Sequence, residues 1–161
     1  MHVRDATPED WPEIWAFMQP ILEAGDTYSW PTDLTSAQAQ AMWLQPPPAR
    51  TLVAVDDGAV LGTTLVRPNL GGPGGHVANG GFMVDPRQRR RGVGRLLGES
   101  AIAVAREDGY RAMQFNAVAS SNVRAVQLWQ SLGFEIIGTV PEGFHHPEQG
   151  YVGLHVMHRV L

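Results

Sequence analysis

Three consecutive arginines, Arg89, Arg90 and Arg91, stand directly before a Gly92-Val93-Gly94 segment. The residues before them end a predicted strand at Val84, and apolar residues after them recur at helical spacing, which predicts a helix beginning near Gly92. The first amides of a helix have no partner within the helix and carry partial positive charge. Glycines leave those donors uncovered. We therefore expect this turn to bind a phosphate or pyrophosphate, with the arginines as a positive rim.

The spacing of the glycines narrows the class of phosphate ligand. A dinucleotide fingerprint requires glycine where Leu97 stands, and a nucleotide P-loop requires a Gly-Lys-Ser/Thr sequence, which this chain lacks. The pattern that does match is Arg-x-x-Gly-x-Gly over residues 89–94. Taken alone, this pattern also fits a basic helix start whose glycines only allow close packing.

Length and composition are those of one soluble domain over residues 1–161, with 43% hydrophobic and 17% charged residues. The net charge of −4, with arginines concentrated in one turn, argues against a nucleic-acid partner. The absence of cysteine excludes disulfides, a thiol nucleophile and thiolate metal ligands. The sequence shows neither a membrane-spanning apolar run nor a signal peptide, so we expect a cytoplasmic enzyme without membrane contact.

Capping residues and apolar periodicity predict a mixed α/β order. Thr7 and Pro8 begin the first helix, and Gly25 ends it. Predicted helices cover residues 8–24, 36–44, 92–108 and 122–132, and predicted strands cover residues 3–6, 51–55, 60–66, 76–84, 112–118, 134–140 and 151–161. Residues 141–150 are predicted as a loop. Short turns imply antiparallel neighbours early in the chain, whereas each later helix permits a parallel crossover.

Two glycines, Gly80 and Gly81, lie in the middle of the fourth predicted strand, where glycine weakens pairing. We expect a β-bulge, or a close approach of a ligand to the backbone, because the phosphate-binding turn follows at once. The alternative is that the glycines only permit tight packing.

A second pattern follows the first at the start of another predicted helix. It reads Asn122-x-x-Ala125-x-x-Leu128-Trp129-x-x-Leu132-Gly133-Phe134. Together the two patterns resemble the signatures of the GNAT superfamily of N-acetyltransferases, in the order in which that family has them. The resemblance implies an α/β GNAT fold, with a mixed, mostly antiparallel central sheet that splays open between strands 4 and 5 and is flanked by helices. It also implies acetyl-CoA as cosubstrate, lying in that gap.

The resemblance assigns roles in acetyl-CoA binding to particular residues. The strand backbone at residues 82–84 would pair with the pantetheine, the amides of residues 89–95 would hold the pyrophosphate, and Asn122 would bond the pantetheine while also capping its helix. The complete cofactor-binding set is Phe82, Met83, Val84, Arg89, Arg90, Arg91, Gly92, Val93, Gly94, Arg95, Asn122 and Trp129. Trp129 stands where the family often has a tyrosine that protonates the departing thiolate. An indole cannot serve as that acid, so either another group does so or the thiolate leaves without one.

The acceptor end of the predicted site has amides where many family members have a glutamate base. Asn79 lies on the fourth predicted strand and Asn116 on the fifth, so the two would bind an amine nitrogen and a carboxylate across the gap. The alternative is that both only bond strand backbones at the splay. A closer resemblance, carried by His76, Asn79, Gly81-Phe82, Phe115-Asn116 and the tail around Gly143, is to N-acetyltransferases of azetidine-2-carboxylate and other proline analogues. There the two asparagines hold the cyclic amino acid.

Several alternatives stay open at this point. The runner-up acceptor class is phosphinothricin or other amino acids, with Glu23 or Asp26 as loop acids. From a different functional class, the chain would be a CoA-binding sensor or interaction module without catalysis. The tryptophan-rich N-terminal half also suggests a homodimer interface.

Three further side chains complete the expected acceptor pocket. Tyr28 and Trp30 lie between the first two predicted helices, where they would line either the pocket or the core. His145 lies in the predicted loop that would roof the pocket, and it would act there as a base or simply stand in solvent. No ligand spacing supports a metal site.

Overall fold

The computed structural model describes residues 1–88 and 91–161, and within them one seven-stranded sheet runs through the whole protein. Its strands are β1 (His2–Asp5), β2 (Arg50–Asp56), β3 (Ala59–Pro68), β4 (Val77–Val84), β5 (Ala112–Ala119), β6 (Glu135–His146) and β7 (Gly150–Val160). The helices are α1 (Trp11–Ala24), α2 (Ser36–Trp43), α3 (Val93–Glu107) and α4 (Val123–Ser131). The predicted α/β GNAT fold, with its helices on either face of a mixed sheet, is confirmed. In the described residues, no helix has the length and apolarity that a membrane crossing requires.

The strand order is β1-β2-β3-β4-β5-β7-β6, and β4 with β5 is the parallel pair among these antiparallel neighbours. That pairing is short, since it joins only residues 77–79 to residues 112–114. Beyond Asn79 and Gln114 the two strands diverge although both continue for several residues. The predicted splay between strands 4 and 5 is therefore present.

Alternating side chains of the sheet pack against helices on two faces. One face holds α1 and α2, whose Phe17, Met18 and Trp43 pack with Met83 of β4. The other face holds α3 and α4, and there Phe115 of β5 belongs to a second hydrophobic cluster, separate from the one on the first face. The rings of Phe82, Phe115 and Trp129 meet on that second face with centroids 4.5 to 5.5 Å apart. These rings border the gap between the diverging strands on this face of the sheet.

The glycine pair in β4 does not form the predicted bulge. The β3–β4 register runs without a shift through Gly80 and Gly81. A Cβ atom on Gly80 would lie 2.9 Å from the Phe82 ring and 3.0 Å from the Phe115 ring. The bulge prediction was wrong, and aromatic rings close on this backbone where a side chain would stand, as the packing alternative has it; the close approach of a ligand stays a prediction. Register shifts occur instead between Ala54 and Val55 and between Phe115 and Val118.

The predicted loop over residues 141–150 was also wrong, because β6 continues to His146 and pairs with β7 along its length. Pro141 and Gly143 obscure the alternation of this segment, and the ladder shifts register between Val140 and Phe144. The actual turn is residues 147–149. There the His146 Nδ1 accepts the backbone N–H groups of residues 148 and 149 at 3.1 and 3.2 Å.

The start of α1 is fixed by a carboxylate. Asp10 accepts two hydrogen bonds of 2.7 Å from Arg4 and one of 2.7 Å from the Thr7 amide. The bonds from Arg4, opposed by burial and aided by the bond from Thr7, lower the pKa of Asp10 to about 2. This contact ties β1 to the helix that leads into the Tyr28 segment.

The Asp10 contact predicts a loss of stability in acid. The pKa of Asp10 is about 2 in the folded protein against an ordinary 3.8, so its carboxylate contributes about 2 kcal/mol above pH ~4, and this is lost as pH falls through about 2. We expect Asp10→Asn to lower the free energy of unfolding by about that amount at pH 7 and by much less at pH 2.5, measured by urea denaturation. Asp57→Asn, at an exposed turn, is the control and should change little. A deficit for Asp10→Asn that is the same at both pH values would contradict the interpretation.

The packing of Gly80 predicts a second stability effect. Gly80→Ala would place a methyl group against two aromatic rings, and overpacking of this kind costs roughly 1–3 kcal/mol. Gly138→Ala is the matched control, because no atom lies within 4 Å of its Cβ position in β6. We expect the urea midpoint to fall for the first variant and to stay within error for the second. Equal midpoints would show that the rings move aside without cost.

Candidate active site

The divergence of β4 and β5 opens a cavity of about 1010 Å³. Its walls come from β4 and β5, from the first turns of α3 and α4, and from the segment between α1 and α2 that carries Tyr28 and Trp30. Most of the residues proposed from the sequence thus meet around one opening.

The backbone of β4 presents a row of hydrogen-bonding groups to this cavity. The Asn69 amide donates to the Val77 carbonyl at 2.8 Å, and the Asp85 amide donates to the Leu61 carbonyl at 3.0 Å. Because partners alternate along an antiparallel ladder, the odd-numbered residues of β4 bond β3. The even-numbered residues Gly80, Phe82 and Val84 therefore turn their N–H and C=O groups toward the gap. A linear ligand with its own amides, such as pantetheine, fits this edge.

The start of α3 supplies a second set of donors. Gly92 caps the helix with φ +79°, the left-handed region in which glycine is unstrained, and no atom lies within 4 Å of its Cβ position. Its carbonyl accepts the Leu96 amide at 3.0 Å, which is the first hydrogen bond of the helix. The amides of residues 93–95 therefore have no acceptor within the helix. Gly94 borders the cavity. Amides at the positive end of a 15-residue helix suit a diphosphate.

The arginine side chains near this helix start have other partners. Arg91 donates to Gln88 at 2.8 Å and forms an ion pair with Asp56. Arg95 donates to Ser131 at 2.7 Å and pairs with Glu99 at 3.5 Å. Both guanidinium groups thus pair with protein side chains, Arg89 and Arg90 lie outside the described residues, and the positive rim stays a prediction. In the described part of the chain, the backbone amides at the α3 start are donors that the helix itself leaves unpaired.

Four other residues of the predicted cofactor set differ in what they present. Met83 and Val93 are buried in the core, so only their backbone groups are accessible to a ligand. Asn122 borders the cavity and accepts the Ala125 amide at 3.3 Å, so it caps α4 as well. Trp129 is 7% exposed and borders the cavity as part of the aromatic cluster with Phe82. The structure accordingly places an indole, not a hydroxyl, at the position of the expected acid.

The two asparagines border the cavity but make different contacts. Asn79 donates its Nδ2 to the Gln114 carbonyl at 3.0 Å, which joins β4 to β5 at their last paired residues. Asn116 donates to Asn69 at 2.7 Å and accepts from the Gln114 side chain at 2.8 Å. Asn79 thus bonds a strand backbone through its Nδ2. Asn116 instead bonds the side chains of Asn69 and Gln114.

An aromatic group closes the acceptor end. Tyr28 and Trp30 border the cavity, with ring centroids 5.4 Å apart, and both contact the buried Trp43. Asp26, one of the two loop acids considered, borders the cavity too, whereas Glu23 is exposed and bonds Gln19.

The sequence analysis missed Arg67. It lies at the end of β3 opposite Asn79 and borders the cavity. The predicted strand stopped at Val66, which left Arg67 in a loop. The antiparallel register set by the Asp57-Gly58 turn and the glycine-rich loop after Leu70 would have placed it beside the predicted site.

His145 is not placed at the acceptor pocket. It lies on β6 opposite Tyr151, with the two rings stacked 4.5 Å apart, and it is not among the residues that border the cavity. The error follows from the mistaken loop over residues 141–150. No group of three or more potential metal ligands occurs within residues 1–88 and 91–161.

Comparisons with known proteins agree with this geometry. The model of the acetyltransferase (GNAT) family matches residues 11–134. The N-acetyltransferase aca1 of Schizosaccharomyces pombe is 27% identical over 156 residues, which cover 87% of this chain and 75% of that protein. A GCN5-related N-acetyltransferase from Kribbella flavida has a TM-score of 0.96 and 55% identity over 99% of this chain and 97% of that one.

A more distant structure shares the fold. The phosphinothricin acetyltransferase (Pat) from Sinorhizobium meliloti, solved with acetyl-CoA, has a TM-score of 0.88 at 20% identity over 99% of this chain and 87% of that chain. The strand edge and helix start described above fit the pantetheine and diphosphate of that cosubstrate. This chain therefore belongs to the acetyltransferase (GNAT) family and is an N-acetyltransferase that uses acetyl-CoA.

Proposed function

We propose that this N-acetyltransferase acetylates the amine of a small amino acid or imino acid, including proline analogues such as azetidine-2-carboxylate. The observation that carries the proposal is the polar wall of the cavity, where the Arg67 cation lies opposite Asn79 on the adjacent strand and Asn116 borders the same space. The remaining walls at this end are largely aromatic. Such a pocket suits a compact, partly apolar acceptor that carries one negative group.

Arg67 is the residue that favours a carboxylate. A guanidinium group offers several donors in one plane and remains charged at neutral pH, which matches the geometry of a carboxylate. Its charge is close enough to oppose the rise in the pKa of the Tyr28 hydroxyl. A carboxylate bound at Arg67 would accordingly lie beside the Tyr28 segment and the β4 backbone.

The asparagine amides favour an uncharged nitrogen beside that carboxylate. The Nδ2 of Asn79 is occupied by Gln114, which leaves its Oδ1 to accept an N–H from an acceptor. An amide neither gives nor takes a proton, so Asn79 and Asn116 would orient the nucleophile rather than deprotonate it. The proton of the amine would leave through water in the cavity.

The position of Asp26 favours a second candidate, acetylation of a primary amino acid such as phosphinothricin. Asp26 borders the cavity, where its carboxylate would accept the proton of a primary ammonium group. The two candidates differ in the amine and share the carboxylate contact at Arg67.

The reaction requires a neutral amine near a thioester carbonyl that is held in a fixed position. We propose that the backbone groups of Phe82 and Val84 align the pantetheine and that the amides at the α3 start hold the diphosphate. Bound acetyl-CoA supplies the activated acetyl group. The chain itself supplies alignment, exclusion of bulk water by the aromatic walls, and hydrogen-bond donors beside β4.

The proposed diphosphate grip predicts which glycine matters for coenzyme A. Gly92→Ala should weaken the affinity for coenzyme A roughly tenfold, since a left-handed residue with a Cβ costs about 1–2 kcal/mol and would shift the helix start. Gly71→Ala is the control, because its φ is −83° and its Cβ position is open. Arg91→Ala should have less effect than Gly92→Ala, since its side chain binds Asp56.

Isothermal titration calorimetry with coenzyme A measures these affinities directly. A large loss for Arg91→Ala with none for Gly92→Ala would show that side chains hold the diphosphate. No heat with the unaltered protein would remove the binding site itself.

An acceptor panel tests the proposed substrate class. Thiol release from acetyl-CoA should be stimulated by azetidine-2-carboxylate or related amino acids, with phosphinothricin as the runner-up. The corresponding amines without the carboxylate, such as azetidine, should be much poorer acceptors. No thiol release with any amine, despite coenzyme A binding, would favour a binding module, and equal rates with the decarboxylated amines would contradict the carboxylate contact.

Substitutions then locate the carboxylate. Arg67→Met should raise the acceptor KM about 10- to 100-fold, the effect of losing a hydrogen bond to a charged group, with the KM for acetyl-CoA nearly unchanged. Asn79→Ala and Asn116→Ala should likewise raise the acceptor KM more than that for acetyl-CoA. Equal effects on both KM values, or none, would remove these residues from the acceptor site.

A further inference from the structure

We propose that the Tyr28 hydroxyl is a catalytic hydrogen-bond donor, which stabilises the negative charge that develops on the thioester carbonyl oxygen together with the Phe82 backbone amide. The proposal rests on acetyl transfer from acetyl-CoA and is independent of which amine is the acceptor. It assigns to the segment between α1 and α2 a role in the chemical step.

The Tyr28 hydroxyl lies directly against the β4 backbone. A Cβ atom on Gly81 would stand 2.6 Å from the Tyr28 Oη, so the oxygen occupies the space that a side chain at this position would take. The ring is held edge-to-face by Trp30 and Trp43, with centroids 5.4 and 6.3 Å away. Trp43 is itself fully buried, and its Nε1 donates to Thr63 at 2.9 Å. The position of the hydroxyl is therefore set by a rigid part of the core.

The Phe82 amide points to the same place. It is one of the β4 amides that face the gap, because its neighbours Gly81 and Met83 bond β3. The Tyr28 oxygen lies beside the preceding residue, since it is 2.6 Å from the Cβ position of Gly81. An N–H and an O–H group thus lie side by side at the edge of the cavity, which is the arrangement that stabilises an oxyanion during acyl transfer.

Acidity decides between a hydrogen-bond donor and a proton donor. Tyr28 is only half-buried because it borders the cavity, yet the surrounding protein raises the pKa of its hydroxyl, while Arg67 and the Phe82 amide oppose part of that rise. A phenol with a raised pKa keeps its proton. It is a poor proton donor to a thiolate, because the pKa of the thiol is lower than that of the phenol. The hydroxyl therefore suits a donor that remains protonated throughout.

The atoms balance without a proton from Tyr28. The amine nitrogen forms a bond to the carbonyl carbon, the carbon–sulfur bond breaks, and the thiolate departs with its electron pair. The amine proton passes to water in the cavity. Trp129 has no hydroxyl that could protonate the thiolate, and Tyr28 keeps its proton. Both residues therefore fit a thiolate that leaves without a dedicated acid.

Infrared spectroscopy of bound acetyl-CoA tests the contact without turnover. With a ¹³C-labelled acetyl carbonyl and no acceptor present, the carbonyl band of the unaltered enzyme should lie at lower frequency than in water. Tyr28→Phe should shift it back toward the free value and lower kcat roughly 100-fold, the effect of losing one oxyanion donor, with little change in the KM for acetyl-CoA. Tyr110→Phe, which removes a hydroxyl that does not border the cavity, should change neither.

A second variant guards against a general disturbance. Gly81→Ala would displace the Tyr28 hydroxyl without removing it, and it should reproduce the shift of the carbonyl band. An unchanged band and kcat in Tyr28→Phe would overturn the proposal. A fall in kcat with an unchanged band, growing with the basicity of the departing thiol, would make Tyr28 a proton donor instead. Because the carbonyl band is recorded without an acceptor, the result for the band is separate from any error in the proposed amine.

Discussion

The separation of β4 from β5 after three paired residues is the constraint on which the site depends. Parallel neighbours normally satisfy each other's backbone groups, and here that pairing is given up beyond Asn79. The rings of Phe82, Phe115 and Trp129 pack together on one face beside the diverging strands and border the cavity. As a result, β4 presents a row of N–H and C=O groups toward the gap. A site made from a strand edge is better fixed than one made from a loop, because β3 holds the opposite edge along its full length.

The glycines of β4 make this exposed edge reachable from both faces of the sheet. Gly80 lets the aromatic cluster close from the α3 and α4 side, and Gly81 lets Tyr28 and Trp43 close from the α1 and α2 side. Side chains at either position would push one of these groups away from the backbone. The same two residues therefore lower strand propensity and permit the walls of the site. The absence of side chains at these two positions thus accounts both for the low strand propensity and for the close packing of the cavity walls.

Much of the fold and of the cofactor end could be predicted because their signals are local. Helix caps such as Gly25, the strong periodicity of α3, and the spacing of Gly92 and Gly94 each depend on a few adjacent residues. The acceptor end depends on long-range register instead. Arg67 meets Asn79 only through the β3–β4 ladder, and Tyr28 meets Gly81 only through the packing of α1 and α2 on the sheet. The extension of β6 was hidden because Pro141 and Gly143 break alternation, although pairing with β7 resumes at Phe144.

Positive charge borders the cavity at two ends, and under the proposed function this would set the order of the two substrates along β4. The α3 start lies beside Val84, since the Cβ position of Gly94 is 3.9 Å from the Val84 side chain, whereas Arg67 lies opposite Asn79. Asn79 and Val84 are five positions apart on an extended strand, a span of about 17 Å. A diphosphate bound at one end and a carboxylate at the other would be drawn toward their own cations in a protein whose net charge of −4 repels both elsewhere. The reacting carbonyl and amine would then meet between the two ends, along the part of β4 where the Phe82 amide and the Tyr28 hydroxyl lie.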